Sequence, residues 1–252
     1  MRTKIQTRKC WWDAVRKRLF HLASLLAAIA LTVSACSSSN GGEGGSGQSI
    51  AFQTDDGWVL RSKYYGTGLT THSVILTHAY DSSQQSWSAF AESLAARGYV
   101  VMTFDFRGHG SSPGKKEAGI ADADLTAAYR YLRKQSNNQG KIFLIGADLG
   151  GTASLKVASR EETQGVISLS GPASIRGLDV SSDVARITEA KLFIAAQSDV
   201  RPREAAQAMF DAAREPKQLQ IVAGGSHGTD LLKGASADRV RSLIFDFLEK
   251  NK

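Results

Sequence analysis

The sequence is poor in the residues that cross-link small folds or bind metals. Only two cysteines and four prolines occur among 252 residues. Cys10 lies before the most apolar stretch of the chain and Cys36 directly after it, which leaves no pair for a disulfide in the remainder. Neither a cysteine cluster nor a His-Glu-x-x-His run, the spacings that bind zinc, is present. We therefore expect no metal site, and a fold stabilised by its hydrophobic core.

Positive charge is also scarce once the first 35 residues are set aside. The formal net charge is +7, but positions 1–35 hold seven basic residues and one acidic residue, so the remainder carries only +1. Such a domain offers no basic surface for phosphates, and we exclude nucleic acid as a partner. The segment 146–151 lacks the glycine spacing that binds dinucleotides, so no cofactor is expected. The sequence does not indicate an oligomeric state.

The N-terminus has the organisation of an export signal. A basic region precedes the apolar run Leu19–Val33, which is shorter than the roughly 17–25 residues that a membrane-spanning helix needs. Small residues follow directly, as at a signal cleavage site. The stretch Val33-Ser34-Ala35-Cys36 resembles the lipobox of bacterial lipoproteins, in which the cysteine becomes the lipid-modified first residue. We predict a signal peptide over 1–35 and an exported protein anchored by Cys36 to the bacterial cell membrane or outer membrane. A plain signal peptide or an N-terminal anchor is the alternative.

The rest of the chain divides into a tether and one domain. Residues 36–49 are rich in glycine and serine, which is typical of a flexible tether. From residue 50 to 252, two extended segments around Asp55-Asp56-Gly57 predict a hairpin, and short apolar strands then alternate with helical patterns. The predicted helices lie near Trp87–Arg97, Ala121–Lys134, after Gly151, Glu204–Arg214 and Ala235–Glu249. This alternation predicts an α/β fold with a mostly parallel, doubly wound sheet, whose ligand site lies beyond the carboxyl ends of the strands.

Polar residues of catalytic type follow several of these strands. The segment Gly146–Gly150 has the outline of a nucleophile elbow, G-x-S-x-G, with Asp148 at the position of the serine. Asp199 follows the predicted seventh strand and His227 the eighth. Nucleophile position, acid and histidine in this order are the chain order of α/β-hydrolases. With Phe104–Ser112, which reads FDFRGHGSS, residues 50–252 resemble that family, especially its small bacterial hydrolases and esterases.

The resemblance implies a role for each of these residues. Asp148 would be the nucleophile, Asp199 the acid that orients His227, and His227 the base. The backbone N–H of Leu149, with one from Ala79 or Tyr80, would form the oxyanion hole. Asp199 has an alternative role as the N-cap of the following helix. Four further residues are interpreted as structural: His78, Trp87, Arg107 and His109.

Aspartate at the elbow changes the chemistry that the site can perform. An aspartate is ionised at neutral pH and needs no base to activate it. It attacks an ester carbonyl poorly, because the tetrahedral intermediate on the way to the anhydride would expel the carboxylate more easily than the alkoxide. It can displace a leaving group at saturated carbon, and histidine then activates water to cleave the alkyl ester. Haloalkane dehalogenases and epoxide hydrolases, which share this fold and carry aspartate at the elbow, work in this way.

The chain departs from those two families in three places. Leu149 replaces their tryptophan, and His78-Ala79-Tyr80-Asp81 replaces their His-Gly-x-Pro type of loop. About twenty residues separate Ser170 from Lys191, too few for a sizeable cap domain. We predict a hydrolase that uses Asp148, Asp199 and His227 on a small or surface-borne substrate with an ester, epoxide or halide group. The alternative is a catalytically inactive binding protein that has lost its nucleophile.

Overall fold

The pattern of buried side chains separates an edge hairpin from a buried central sheet. A computed structural model describes residues 47–66, 72–135 and 142–252, within the compact unit Gly44–Lys252. The predicted signal peptide and the predicted lipid site at Cys36 lie outside the described residues. Strands β1 (Gln48–Gln53) and β2 (Val59–Tyr65) mix buried and exposed positions. Strands covered on both faces are buried along their whole length: β3 (Ser73–Thr77), β4 (Val100–Phe104), β5 (Ile142–Ala147), β6 (Gly165–Leu169) and β9 (Ala190–Ala196).

Eight strands form one sheet in the order β1-β2-β4-β3-β5-β6-β9-β10, with β10 (Lys217–Val222) at the far edge. Strand β2 pairs antiparallel with β1 and with β4, and all other neighbours in the sheet are parallel. The predicted hairpin and the mostly parallel sheet are therefore confirmed. Strand β1 begins at Gln48, so two residues of the predicted tether belong to the sheet.

Helices cover both faces of the sheet. The helices are α1 (Ser88–Ala95), α2 (Ala121–Gln135), α3 (Leu149–Ala158), α4 (Val200–Ala212) and α5 (Ala237–Lys250). Apolar side chains of α2, α3 and α4 belong to one buried cluster, and those of α1 and α5 to another. Helix α3 is buried on nearly all sides, and the other helices bury one apolar face against the sheet. Among the described residues, no helix has the length and apolar character that crossing a bilayer would require.

The chain between β6 and β9 forms a short hairpin followed by a single helical turn at Val184–Arg186. The hairpin consists of β7 (Ser174–Ile175) and β8 (Leu178–Asp179), which pair antiparallel through a two-residue turn. The expectation of a fold without a sizeable cap is confirmed, but the sequence reading did not identify this hairpin.

Candidate active site

The turn between β5 and α3 holds Asp148 in a rare backbone conformation. Its φ is 50° and its ψ is −116°, a region that costs a non-glycine residue about 1–3 kcal/mol. Two hydrogen bonds hold the turn in place: Asp148 N–H donates to the carbonyl of Leu169 at 2.9 Å, and Gly150 N–H donates to that of His78 at 3.1 Å. Neighbouring strands therefore fix the elbow and direct the Asp148 side chain beyond the carboxyl edge of the sheet.

Glycines on both sides of Asp148 make this turn sterically possible. A Cβ at Gly146 would overlap the carbonyl of Gly150, and a Cβ at Gly150 would overlap the carbonyl of Thr77. A Cβ at Gly151 would stand 2.6 Å from the hydroxyl of Ser168. The elbow outline in the sequence thus reflects close backbone packing of α3 against β3 and β6.

The two carboxylate oxygens of Asp148 have different surroundings. Oδ2 accepts a hydrogen bond from the backbone N–H of Tyr80 at 3.0 Å, and the N–H of Leu149 also donates to the carboxylate. Tyr80 and Leu149 were both predicted to form the oxyanion hole, and their N–H groups converge on one point. In this structure that point is occupied by the side chain of Asp148 itself.

Ala79 does not take part in the way predicted. In the described structure the N–H of Ala79 makes no hydrogen bond to Asp148, whereas its carbonyl accepts from the ring Nδ1–H of His78 at 2.7 Å. The other ring nitrogen of His78 accepts the N–H of Phe106 at 3.1 Å. Burial lowers the pKa of His78 to about 4, so it stays neutral and keeps both bonds. His78 therefore shapes the turn that presents Tyr80, and Ala79 is removed from the candidate oxyanion donors.

His227 lies between the two predicted aspartates. Its Nδ1 is 2.7 Å from Oδ2 of Asp199, and its Nε2 is 3.6 Å from Oδ1 of Asp148. Asp199 precedes α4 at the N-cap position, yet its side chain makes no capping hydrogen bond there. Its carboxylate binds His227 instead, which decides between the two readings of Asp199 made from the sequence.

The contacts of His227 bring opposite charges together. The contact with Asp148 and the hydrogen bond with Asp199 raise the pKa of His227 to about 9, although burial acts against them. Burial alone would raise the pKa of Asp148, but the bonds from His227, Tyr80 and Leu149 outweigh it, and this pKa falls below its ordinary value. At neutral pH the site therefore holds an ionised carboxylate against an imidazolium.

An open cleft of about 450 Å³ gives access to these groups. Its lining consists of Asp148, Ser170, Pro172, Ser198, Asp199, Val200, Arg201, Pro202 and His227. A second, larger cleft of about 610 Å³ lies between the β1–β2 turn and α2, where Arg130 forms ion pairs with Asp55 and Glu161. Of these two clefts, the first contains a histidine between two carboxylates, so it is the candidate active site.

The other residues that the sequence analysis interpreted as structural are not among the reacting groups. Arg107 is buried and forms ion pairs with Asp56 and Asp124, both at 2.6 Å, which links the β1–β2 turn to α2. His109 is buried and donates from Nδ1 to the carbonyl of Arg107 at 2.9 Å. Trp87 is fully buried in the core. The burial and contacts of these three residues agree with the structural roles that the sequence suggested.

The sequence reading missed Ser170. This residue directly follows β6, has a φ of 54°, lines the cleft, and buries a hydroxyl without a hydrogen-bond partner among the described residues. Two strained non-glycine residues, Asp148 and Ser170, thus lie side by side at the ends of adjacent strands. The run Ser168-Leu169-Ser170-Gly171-Pro172 after an apolar strand was the available signal, since Gly and Pro mark a sharp turn.

Comparisons with known proteins agree with this architecture. A family described as serine aminopeptidase, S33, matches residues 70–192. Rv2307c of Mycobacterium tuberculosis is 27% identical, with 79% of each chain covered. YfhR of Escherichia coli K12 is 26% identical, with 81% of each chain covered. Both are named as uncharacterized proteins.

Solved structures show the same fold at lower identity. The esterase Pf2001 of Pyrococcus furiosus is 20% identical with a TM-score of 0.71, covering 81% of this chain and 92% of its own. A monoacylglycerol lipase of Paleococcus ferrophilus is 17% identical with a TM-score of 0.67, covering 77% of this chain and 99% of its own.

Proposed function

The chain has the α/β-hydrolase fold and the comparisons support a hydrolase, and from this premise we propose that Asp148 is its nucleophile. The observation that carries the proposal is the unequal treatment of the two carboxylate oxygens. Oδ2 accepts the backbone N–H of Tyr80, while Oδ1 lies in the cleft 3.6 Å from Nε2 of His227. A carboxylate fixed through one oxygen presents the other for attack.

The first step is displacement at a saturated carbon of the substrate. Oδ1 of Asp148 forms a bond to this carbon, and the leaving group departs with the electron pair of the bond that breaks. The step needs no base, because the carboxylate is already ionised. It produces an alkyl ester of Asp148 with Oδ2 as its carbonyl oxygen, still held by the N–H of Tyr80.

The second step is hydrolysis of this ester. Its formation removes the negative charge on Asp148 that helps to keep His227 protonated, so His227 releases its proton to the leaving group or to solvent. Neutral His227 then takes a proton from water, which attacks Cγ of Asp148. The negative charge that develops on Oδ2 lies in a ready-made oxyanion hole. Collapse expels the alkoxide, which the imidazolium protonates.

Attack on an acyl carbon fits the geometry less well. An acyl substrate needs the N–H groups of Tyr80 and Leu149 for its own oxyanion, but both already donate to the carboxylate of Asp148. The structural neighbours named esterase or lipase favour an ester-type substrate. With Asp148 the bond broken would be that between alkyl carbon and oxygen, and epoxides and alkyl halides are equivalent substrates. Small or surface-borne molecules both suit an open cleft.

A competing function is a binding protein that retains the site without turnover. Leu149 at the elbow and the absence of a large cap, the departures from aspartate-dependent relatives, favour it. The strained backbone of Asp148 and the contacts of His227 with both carboxylates favour catalysis, because such strain has no use in a disused site.

Intact-mass spectrometry after exposure to alkyl halides, epoxides and esters tests the proposal. We expect His227→Gln to accumulate an adduct on Asp148, since formation needs no base and breakdown does. The adduct should be absent from Asp148→Asn, whereas Asp81→Asn, at a neighbouring exposed carboxylate, should behave as the wild type. A single turnover in heavy-oxygen water should leave the label on Asp148.

The opposite result is equally specific. If no compound forms an adduct with the wild type or with His227→Gln, Asp148 is not a nucleophile. Esterase activity gained by Asp148→Ser in that case would identify a hydrolase that has lost its nucleophile, because Asp199, His227 and a vacated oxyanion hole would serve the new serine.

We also propose that the domain is exported and lipid-anchored through Cys36, with the membrane as its partner. The support is the order of basic region, apolar run and lipobox-like sequence, and the Gly/Ser-rich segment that separates Cys36 from β1. The proposal concerns where the enzyme works and is independent of its chemistry.

A further inference from the structure

The turn of the β7–β8 hairpin contains an arginine in a conformation that arginine rarely adopts. Arg176 has a φ of 43° and Gly177 a φ of 92°, the pattern of a two-residue hairpin turn with both central residues left-handed. Asparagine, aspartate or glycine is favoured at such a position. Backbone preference therefore does not account for Arg176, and its side chain is the feature to explain.

The Arg176 side chain lies next to the oxyanion turn. Its guanidinium carbon is 4.2 Å from the centre of the Tyr80 ring, and Nζ of Lys116 is 5.6 Å from the same centre. The ring of Tyr80 meets that of His109 edge to face at 5.5 Å, which holds it in place. Tyr80 therefore connects the two cations, which lie over its ring, with Asp148, which accepts its backbone N–H.

Neither cation has an acidic partner. Within residues 47–66, 72–135 and 142–252, no carboxylate forms an ion pair with Arg176 or Lys116, although many other arginines are paired. Both side chains are exposed, so they are free to bind a solute. An arginine guanidinium can bind a carboxylate or phosphate through two parallel hydrogen bonds, and a lysine adds a point charge.

We propose that Arg176 and Lys116 bind an anionic group at the far end of the substrate, so that the molecule attacked by Asp148 carries a carboxylate or a phosphate ester over Tyr80. The inference rests on the proposed function, because it names the substrate class of the same site. The hairpin then acts as a minimal substitute for a cap domain, and it supplies charge where larger caps supply an enclosing wall.

Binding of unreactive compounds tests the inference without any turnover. Hexanoate, hexyl phosphate and hexanamide have the same chain length, and NMR titration of the Tyr80 ring signals measures their affinities. We expect at least one anion to bind about tenfold or more tightly than the amide, with the preference declining at high salt. The tighter of hexanoate and hexyl phosphate identifies the anion. Equal affinity for all three compounds overturns the proposal.

Substitutions at the two cationic residues test where the anion binds. Arg176→Asn suits the left-handed turn, so it removes the charge without harming the fold, and with Lys116→Gln it should abolish the preference for the anion. Arg176→Lys should retain part of it, and Lys115→Gln, the neighbouring exposed lysine, should retain all of it. A preference that survives both Arg176→Asn and Lys116→Gln would place the anion elsewhere and overturn the proposal.

A second experiment distinguishes failure of the proposed nucleophile, Asp148, from failure of the proposed anion site. Adduct formation is followed with 6-bromohexanoate and 6-bromohexanamide in the His227→Gln background. Equal rates for the two compounds contradict the anion site and leave the nucleophile in place. Tight hexanoate binding with no adduct from either compound supports the anion site and contradicts the nucleophile.

Discussion

At the scale of single residues, the site depends on a charge that disappears during the proposed reaction. His227 contacts two carboxylates, and its contact with Asp148 contributes most to the rise in its pKa to about 9. An imidazolium cannot accept a proton from water. The ester on Asp148 therefore converts His227 from an ion-pair partner into a base at the stage when a base is required.

The first prediction concerns this coupling. In Asp148→Asn the carboxylate charge is gone, so the pKa of His227 should fall well below the value of about 9 in the wild type. Titration of the His227 ring signals by NMR measures both values. Asp230→Asn, at an acidic residue near His227 in the chain, is the control and should leave the titration unchanged. An unaltered pKa in Asp148→Asn would mean that the 3.6 Å contact does not couple the two groups.

A second prediction follows from the strain at Ser170. The left-handed conformation costs a non-glycine residue about 1–2 kcal/mol, and the buried hydroxyl has no partner to lose. Ser170→Gly should therefore raise the free energy of unfolding by about 0.5–1 kcal/mol, as measured by urea denaturation, after the greater chain entropy of glycine is deducted. Ser168→Gly, which loosens a regular strand position, should lower it.

At the scale of secondary structure, the junction of β5 and α3 requires its glycines. Helix propensity alone would favour alanine over Gly150 by about 1 kcal/mol. The overlap of the new Cβ with the carbonyl of Thr77 opposes this, and overpacking of this kind costs about 1–3 kcal/mol. Gly150→Ala should therefore be destabilised in urea and should displace the elbow, with loss of adduct formation. In Gly119→Ala the nearest atom to the new Cβ lies at 3.8 Å, and neither property should change much.

The elements that the sequence made predictable are those with long, regular patterns. Apolar strands and amphipathic helices identified the sheet, its two helical layers and the strand ends that carry Asp148, Asp199 and His227. Helix α4 starts at Val200 rather than near Glu204, because Pro202 fits the first turn of a helix, where no N–H is required. The β7–β8 hairpin was not predicted, because strands of two residues are too short to show a periodic pattern.

The residues of the site were easier to predict from the sequence than their hydrogen-bond partners. Chain order brings nucleophile, acid and histidine together in this fold, but it does not say which N–H groups the carboxylate meets. In the structure the N–H of Tyr80 donates to Asp148, while Ala79 accepts from His78 through its carbonyl. The position of Arg176 over Tyr80 depends on a turn whose backbone conformation its sequence does not favour.

At the scale of the whole molecule, most of the net positive charge and the longest apolar run of the sequence precede Cys36. Most of the net charge of +7 lies in residues 1–35, next to the apolar run. We predict that the chain up to Ala35 is removed and that Cys36 is lipidated. Labelled palmitate should be incorporated into the wild type in a bacterial host and should be absent from Cys36→Ser. Recovery of the full-mass chain from the cytosolic fraction would contradict the assignment.

Displacement by the carboxylate of Asp148 would also determine the configuration of the product. In the proposed reaction Oδ1 attacks from the side opposite the leaving group, so the configuration of the saturated carbon is inverted. Water later attacks Cγ of the enzyme and leaves the substrate carbon untouched. A chiral secondary bromide should therefore yield the alcohol of opposite configuration, which chiral chromatography detects. A product of unchanged configuration would mean that a second displacement had taken place at the same carbon.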